Sequence, residues 1–265
     1  MTDVLSYHYF LGGNDLEMEA IRRLLRDKGV PVSRVHDKHL DWGAKASDYR
    51  KELEDLPEKA VPVLIELAND LGLDESRIII VDHHGERAGA DRPTSLEQMW
   101  RLLEMPPDQW GKGEYADFPL IAANDRGYIP AMRQLGASDE VIADIRRRER
   151  AAQGITEEQE QQAEAAIRHL KTIEDRLTVV HLPHSKTAPV TDRLALRPGH
   201  ENILVIAPKE INFFGDGRAI CRLHKQYPGG WYGGALPQSG YWGHGRDDID
   251  VEELQTRLLD SLKRD

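Results

Sequence analysis

The sequence predicts an α/β protein: a largely parallel sheet flanked by helices, followed by a smaller α+β C-terminal domain. Three observations carry this. Ile78-Ile79-Ile80-Val81 is an uninterrupted β-branched run, the pattern of a strand buried on both faces. Over the first half of the chain such runs alternate with stretches of helical spacing, as βαβ units do. From Leu177 the pattern changes to short strands and a glycine-dense segment. The expected division is 1-155 for the α/β domain, 156-177 for a connecting helix and 178-265 for the C-terminal domain.

Taken in order, Val4 to Leu11 reads as the first strand and Gly12-Gly13-Asn14 as its turn. Leu16, Ala20, Ile21, Leu24 and Leu25 then fall on one side of a helix that Gly29 ends. Asp15 and Glu17 therefore sit at a strand-to-helix junction. A helix start accounts for one acid, with Asn14 as N-cap and Glu17 as its capping-box partner. It accounts less well for two glycines brought so close to them. Val30 to Val35 is a short second strand, followed by the polar segment His36-Asp37-Lys38-His39-Leu40-Asp41. Ser47 to Leu56 is a short exposed helix. Ala60 to Leu67 is either a buried strand carrying Glu66 near its end, or a helix with Pro62 in its first turn.

The isoleucine strand ends abruptly on Asp82-His83-His84-Gly85. Ligand-type residues just past the end of a buried strand occupy the place where open α/β sheets bind ligands. Thr94 and Glu97 form a capping-box pattern for a helix buried through Leu96, Met99, Trp100 and Leu103. Asp117 to Ala123 reads as another buried strand, running into Asn124-Asp125-Arg126-Gly127. Leu135 to Ala152 and Thr156 to Leu177 are two charged helices. Ser138 caps the first, a Thr156–Gln159 box caps the second, and Gly154 lies between. Arg146-Arg147-Arg148 reads as a solvated helix face.

Further strands are expected over 178–182, 202–207, 210–214 and 218–224. Pro228 to Gly245 is dense in glycine, which lets backbone amides approach an anion. Its Trp231, Tyr232, Tyr241 and Trp242 offer stacking surfaces for a base, or fold onto the core. Val251 to Leu262 is an amphipathic terminal helix.

Composition narrows the function. A net charge of −11, from 46 acidic and 35 basic residues, argues against a basic surface for long duplex nucleic acid. A small phosphorylated substrate in a metal-lined cleft remains compatible, because bound cations invert the local sign. The single cysteine, Cys221, excludes an internal disulfide and suits the cytoplasm. Met1-Thr2-Asp3-Val4 does not open a signal peptide, and no apolar run reaches the roughly 20 residues of a membrane span. Nothing in the sequence argues against a homodimer.

The strand-end acids form one set: Asp15, Glu17, Glu66, Asp82 with His83 and His84, and Asp125. Such a set can hold two cations bridged by a carboxylate, an arrangement that activates water and neutralises a phosphoryl group. Mixed carboxylate and imidazole ligands suit Mn2+, with Mg2+ and Zn2+ as alternatives.

Val81-Asp82-His83-His84 after an isoleucine run resembles the signature of the DHH phosphoesterase superfamily. That group includes nanoRNases, cyclic-dinucleotide phosphodiesterases, single-strand DNA exonucleases and manganese pyrophosphatases. Pro93-Thr94-Ser95-Leu96-Glu97 resembles the family's helix after the signature, Asp125 its fourth-motif aspartate, and Asn14-Asp15-Leu16-Glu17 its Asp-x-Asp first motif. Gly229 to Gly245 is similar in kind to the glycine-rich, histidine-containing loop of the accessory domain. The resemblance implies metal ligation by Asp15, Glu17, Asp82, His83 and Asp125. It places His84 at the substrate phosphate, and His244 with nearby glycines such as Gly233 and Gly234 at the far end of the substrate; Arg126, beside Asp125, joins the substrate-binding set. Three departures stand out. Leu11 occupies the position of a family histidine, with His8 the nearest. Glu17 replaces an aspartate. The second motif's bridging acid is not evident, leaving Glu66 as candidate and Asp41 behind it.

The resemblance implies a metal-dependent phosphodiesterase or phosphatase acting on a short oligonucleotide, a dinucleotide or another small phosphorylated compound, with Asp82 and His84 in catalytic roles. The alternative is a DHH-like nucleotide sensor whose metal centre has decayed. A nicotinamide oxidoreductase would need G-x-G-x-x-G after the first strand, and a serine hydrolase G-x-S-x-G; neither is present.

Overall fold

The computed structural model describes residues 6–195 and 197–263. Met1 to Leu5, and with them the N-terminal reading and the start of the first strand, lie outside the described residues. The chain forms two compact units: 1–83 with 93–125, and 84–92 with 126–265. The break thus falls at Asp125, earlier than the expected 155, and the C-terminal unit takes in more of the chain than 178–265.

The first unit is built on a four-stranded parallel sheet of order β2-β1-β3-β4. β1 is Ser6–Leu11, and helix α1 is Leu16–Asp27. β2 is only Val35–His36, because a 3-10 turn at Val32–Arg34 uses up the rest of the expected strand. The expected exposed helix becomes a 3-10 turn, Ala46–Tyr49, leading into α2, Arg50–Glu54. β3 is Ala60–Ile65 and β4 is Ile79–Val81, so the Ala60 run is a strand. Pro62 is tolerated there because β4 flanks β3 only from Val63 onward. The register Phe10↔Leu64 places both side chains on one face, where they pack with Ala44, Ala46, Tyr49 and Leu67. Tyr9, Leu11, Val63 and Ile65, on the other face, are equally buried.

α3 is Ser95–Leu102, with Thr94 and Glu97 in the expected capping box. The run after Asp117 is not a strand but the start of helix α4, Phe118–Gln134. The four apolar residues at 120–123 fit either period; the backbone is helical, with Phe118, Ile121, Ala122 and Ala123 buried. Trp100, Trp110, Tyr115 and Phe118 pack edge to face, and the Arg23 guanidinium lies 4.5 Å from the Phe118 ring while bonding Asp117. This cluster anchors the first turn of α4. Helical dihedrals break at Gly127 and at Tyr128, which stands at φ 59°. The chain leaves the first unit just before that break.

The second unit carries a six-stranded mixed sheet of order β5-β6-β7-β8-β10-β9. α5 (Asp139–Ala152) and α6 (Glu157–Arg168) have the expected Ser138 and Thr156–Gln159 caps. α6 stops at Arg168 rather than Leu177. β5 (Lys171–Ile173) then pairs with β6 (Leu177–His181) across a turn in which Glu174 and Asp175 take positive φ. Then follow α7 (Ala188–Leu194), β7 (Ile203–Ile206) and β8 (Glu210–Asp216). The expected strand at 218–224 is helix α8, Gly217–Gln226, capped by Asp216 and buried through Ala219, Ile220 and Leu223. β9 (Trp231–Gly233), β10 (Ser239–Gly245) and α9 (Val251–Leu262) complete the unit. Strand alternation sends Leu204 and Ile206 to a core with α8 and α9, and Ile203 and Val205 to one with α6 and α7. Among the described residues no helix is long and apolar enough to cross a membrane.

At the β1–β2 edge, His8 Nδ1 lies 3.3 Å from His36 Nε2, and His36 stacks on Phe10. A hydrogen bond between two ring nitrogens needs one neutral acceptor. Burial and the charge of Arg34 hold His8 below the ordinary imidazole value. Burial, His8 and Lys38 do the same to His36, against Glu52. Depressed histidines stabilise the fold fully above the unfolded value of about 6.5, and that stability is lost as pH falls from there through the lower folded value. Tm should therefore drop as pH falls below about 6.5. A His8→Asn, His36→Asn variant should show a shallower drop; an unchanged slope would refute the assignment.

Candidate metal centre

Four side chains from separated positions converge in the first unit: Glu17, Glu66, His83 and Asp125, with one ligand atom from each lying within 4.8 Å of the others. His83 Nε2 is central. It lies 3.6 Å from Glu17 Oε2, 3.5 Å from Glu66 Oε1, and against Asp125 Oδ2. The Glu17 side chain is 1% exposed, His83 7% and Glu66 8%, while Asp125, 18% exposed, is the member nearest solvent.

Each residue is placed by local sequence. Glu17 is the second residue of α1. Asp15, not Asn14, is the N-cap, accepting from the Met18 N–H at 2.7 Å, and this turns Glu17 inward instead of into a capping box. Glu17 Oε1 accepts from the Leu96 N–H at 3.0 Å. That N–H is one of the donors a helix start leaves unsatisfied, here in the first turn of α3. Glu66 follows β3 with φ 52°, an uncommon conformation for glutamate. Gly12 explains how it is reached. A Cβ at Gly12 would lie 2.4 Å from the Glu66 carbonyl oxygen and 2.7 Å from that of Ile65. The β1 turn therefore needs glycine so that β3 can pass and deliver Glu66. His83 stands two residues past β4. Asp125 comes from α4 rather than from a strand end; Phe118, Ile121, Ala122 and Asp125 share one helix face.

The other candidate residues make these contacts. Asp15 spends a carboxylate oxygen on the α1 cap, and Asp82 is half-buried, its carbonyl held by Gln98 Nε2 at 3.0 Å. Neither belongs to the four-residue group. Asp41 is exposed, its backbone packed against Gly13. Asp37 is bound by Arg22 at 2.6 Å, and His39 is exposed. His84 falls in the second unit and opens the 3-10 turn Gly85–Arg87. In that unit Arg126 Nε donates to the Arg92 carbonyl at 3.1 Å.

The glycine-dense stretch is a hairpin rather than a loop. Gly233 lies under the Tyr241 ring, and Gly234, at φ 103°, passes the Gly240 backbone. His244 is buried, with ring nitrogens 3.0 Å and 3.3 Å from the Gly245 and Pro228 carbonyls. Close strand packing thus accounts for Gly233, Gly234 and His244 within their own hairpin.

The residues of the first-unit group fit a hard divalent cation. Three carboxylates surround one imidazole, so even a protonated ring leaves excess negative charge in a largely buried site. Glu17 Oε2 and Glu66 Oε1 are buried without a hydrogen-bond partner among the described residues. Burial, with Asp125 and Glu66 adding to it and His83 opposing, pushes the Glu17 carboxyl well above the usual carboxylate range. Burial would lower His83, but Asp125, Glu66 and Glu17 outweigh it and raise the ring well above the usual imidazole range. Oxygen-rich ligands with one nitrogen suit Mn2+, Mg2+ or Zn2+.

Solved structures with the same architecture are DHH proteins. A DHH-domain protein described as a member of a family of ribosomal proteins matches with a TM-score of 0.54 at 12% identity, over 97% of this chain and 87% of its own. The chain has the DHH-superfamily fold. RecJ from Thermus thermophilus in complex with Mn2+ gives 0.53 at 12% identity, over 98% of this chain and 52% of its own. An exonuclease RecJ bound to manganese gives 0.51 at 13% identity, over 98% and 91%. No protein-family model matches the chain, and no curated protein sequence does.

Gly12→Ala tests the delivery of Glu66. The clash is backbone against backbone, so the strand end must shift. The expected outcome is about 1–3 kcal/mol of destabilisation, read by denaturant unfolding, together with loss of divalent-cation affinity. Wild-type affinity in the variant would contradict the role given to Gly12.

Proposed function

We propose that this protein is a metal-dependent phosphoesterase that hydrolyses a small phosphorylated substrate such as a dinucleotide or short oligonucleotide. The observation that carries this is the convergence of Glu17, Glu66, His83 and Asp125 on one point of a DHH fold. The manganese-bound exonuclease among the matched structures supports the choice of reaction class and of Mn2+ as first candidate. When bound, a divalent cation acidifies water and neutralises charge on a phosphoryl group.

The chain's own residues do the rest. Glu17, Glu66, His83 and Asp125 hold the ion, and the Leu96 N–H fixes the Glu17 carboxylate so that Oε2 faces the group. Oriented ligands hold the reacting geometry without reorganisation. Asp82 and His84 complete the proposal, Asp82 beside a second ion and His84 toward the substrate phosphate. The acidic net charge disfavours long polyanions and favours short substrates in the cytoplasm.

Purified protein supplied with Mn2+ should release mononucleotide from a dinucleotide, and His83→Ala should abolish release while leaving the circular-dichroism spectrum intact. Dinucleotide binding without turnover in the Mn2+-supplied wild type would overturn the assignment.

A further inference from the structure

The second unit contains a cavity of about 370 Å³ lined by Glu164, Ile167, Arg168, Arg193 and Arg197. It is an open, mostly polar depression. Its charge is set by how the three arginines are used. Arg193 is committed: Nη1 lies 2.7 Å from Glu160 Oε2 and donates to the Pro189 carbonyl at 2.8 Å, and Nη2 donates to Glu164 Oε1 at 3.2 Å. Glu164, the single acid in the lining, is thereby neutralised. Arg168 and Arg197 are exposed and make no side-chain hydrogen bond or ion pair among the described residues. Two guanidiniums therefore face a concavity in a chain whose net charge is −11.

We propose that this cavity binds the phosphate group of a small ligand through Arg168 and Arg197. The planar guanidinium fork matches two phosphate oxygens, which a compact ammonium does not. The wall is built in advance. Glu160 also binds Arg150 at 2.7 Å, and Arg150 pairs with Asp192, which Arg146 holds at 2.8 Å, so Arg193 sits at the outer end of a fixed chain of ion pairs. Ile167, 8% exposed, belongs to the core beneath and closes the bottom of the site. This site lies apart from Glu17, Glu66, His83 and Asp125 in sequence and uses none of them, so it does not depend on the proposed hydrolysis.

The test is calorimetric titration of full-length His83→Ala protein in EDTA, which keeps divalent cations and their phosphate affinity out of the measurement. The probes are inorganic phosphate and adenosine monophosphate. Both should bind, weakening as salt rises. Arg168→Ala with Arg197→Ala should lower affinity by about tenfold or more per guanidinium removed. Both substitutions are on the surface, so the fold should persist, as an unchanged Tm would confirm. Binding of both probes, lost in the double variant, assigns the site to the phosphate group they share. No binding of either probe at millimolar concentration, or equal binding by the double variant, overturns the proposal.

Discussion

Glu17→Gln is expected to raise the Tm of the metal-free protein and to remove its affinity for Mn2+. Glu17 is 1% exposed and shares its site with two further carboxylates. Burying an ionised group without full compensation costs several kcal/mol, and the single imidazole cannot compensate three acids. Glutamine keeps the acceptor for the Leu96 N–H and removes an acid whose ionisation is disfavoured by burial and by Asp125 and Glu66. The loss of metal affinity should exceed the roughly 10–100-fold that removing an outer-sphere partner costs. Opposite signs on stability and binding mark a site kept under tension for function. Differential scanning calorimetry in EDTA and Mn2+ titration read the two effects. A fall in metal-free Tm with retained Mn2+ affinity would show that Glu17 is a structural acid.

Asp192→Ala should destabilise the protein by about 3–5 kcal/mol, a Tm fall on the order of 10 °C. Asp192 is buried and accepts from Arg146 Nε at 2.8 Å and from the Tyr128 hydroxyl at 2.6 Å; its other oxygen pairs with Arg150. Arg146 is itself buried, its guanidinium 4.5 Å from the Tyr128 ring centroid. Of the arginine triplet read as a solvated face, Arg147 is solvated and Arg146 is not. Removing Asp192 takes away the acceptor that Arg146, Arg150 and the Tyr128 hydroxyl share. Because a buried ion pair often exchanges for apolar residues at little cost, Asp192→Leu with Arg146→Met should recover most of the loss. A double variant as unstable as the sum of its parts would mean the two residues act separately.

The parts of this molecule legible in sequence are those with strong local signals. The β-branched run marks β4, the Ser138, Thr94 and Thr156 caps mark three helix starts, and the acid-rich junctions offer Glu17, Glu66, His83 and Asp125 as ligand candidates. Short apolar runs mislead where period cannot be resolved. Residues 118–123 and 218–224 look like strands and are helices because their neighbours bury one helical stripe. Asp125 is therefore a ligand candidate in sequence for the wrong reason: it reaches the cluster from a helix face, not a strand end. Gly12 stands out in the sequence but its role does not, since the atoms it makes room for belong to Glu66 and Ile65, far along the chain. The glycines at 233 and 234 carry the opposite lesson. Their density suggests a ligand cradle, whereas close passage of strands and an aromatic ring accounts for them.

The second unit is discontinuous: nine residues, His84 to Arg92, join it from the middle of the first. In that unit the Ala90 N–H reaches the Leu236 carbonyl, and the turn at Gly85–Arg87 packs with β9. During synthesis this segment leaves the ribosome long before Leu236 exists. The first unit can close around residues 93–125 while the segment waits without its partners. Cutting the gene after codon 125 would give one product with an orphaned loop and another with a missing piece. Each unit is complete only when both stretches of the chain are present.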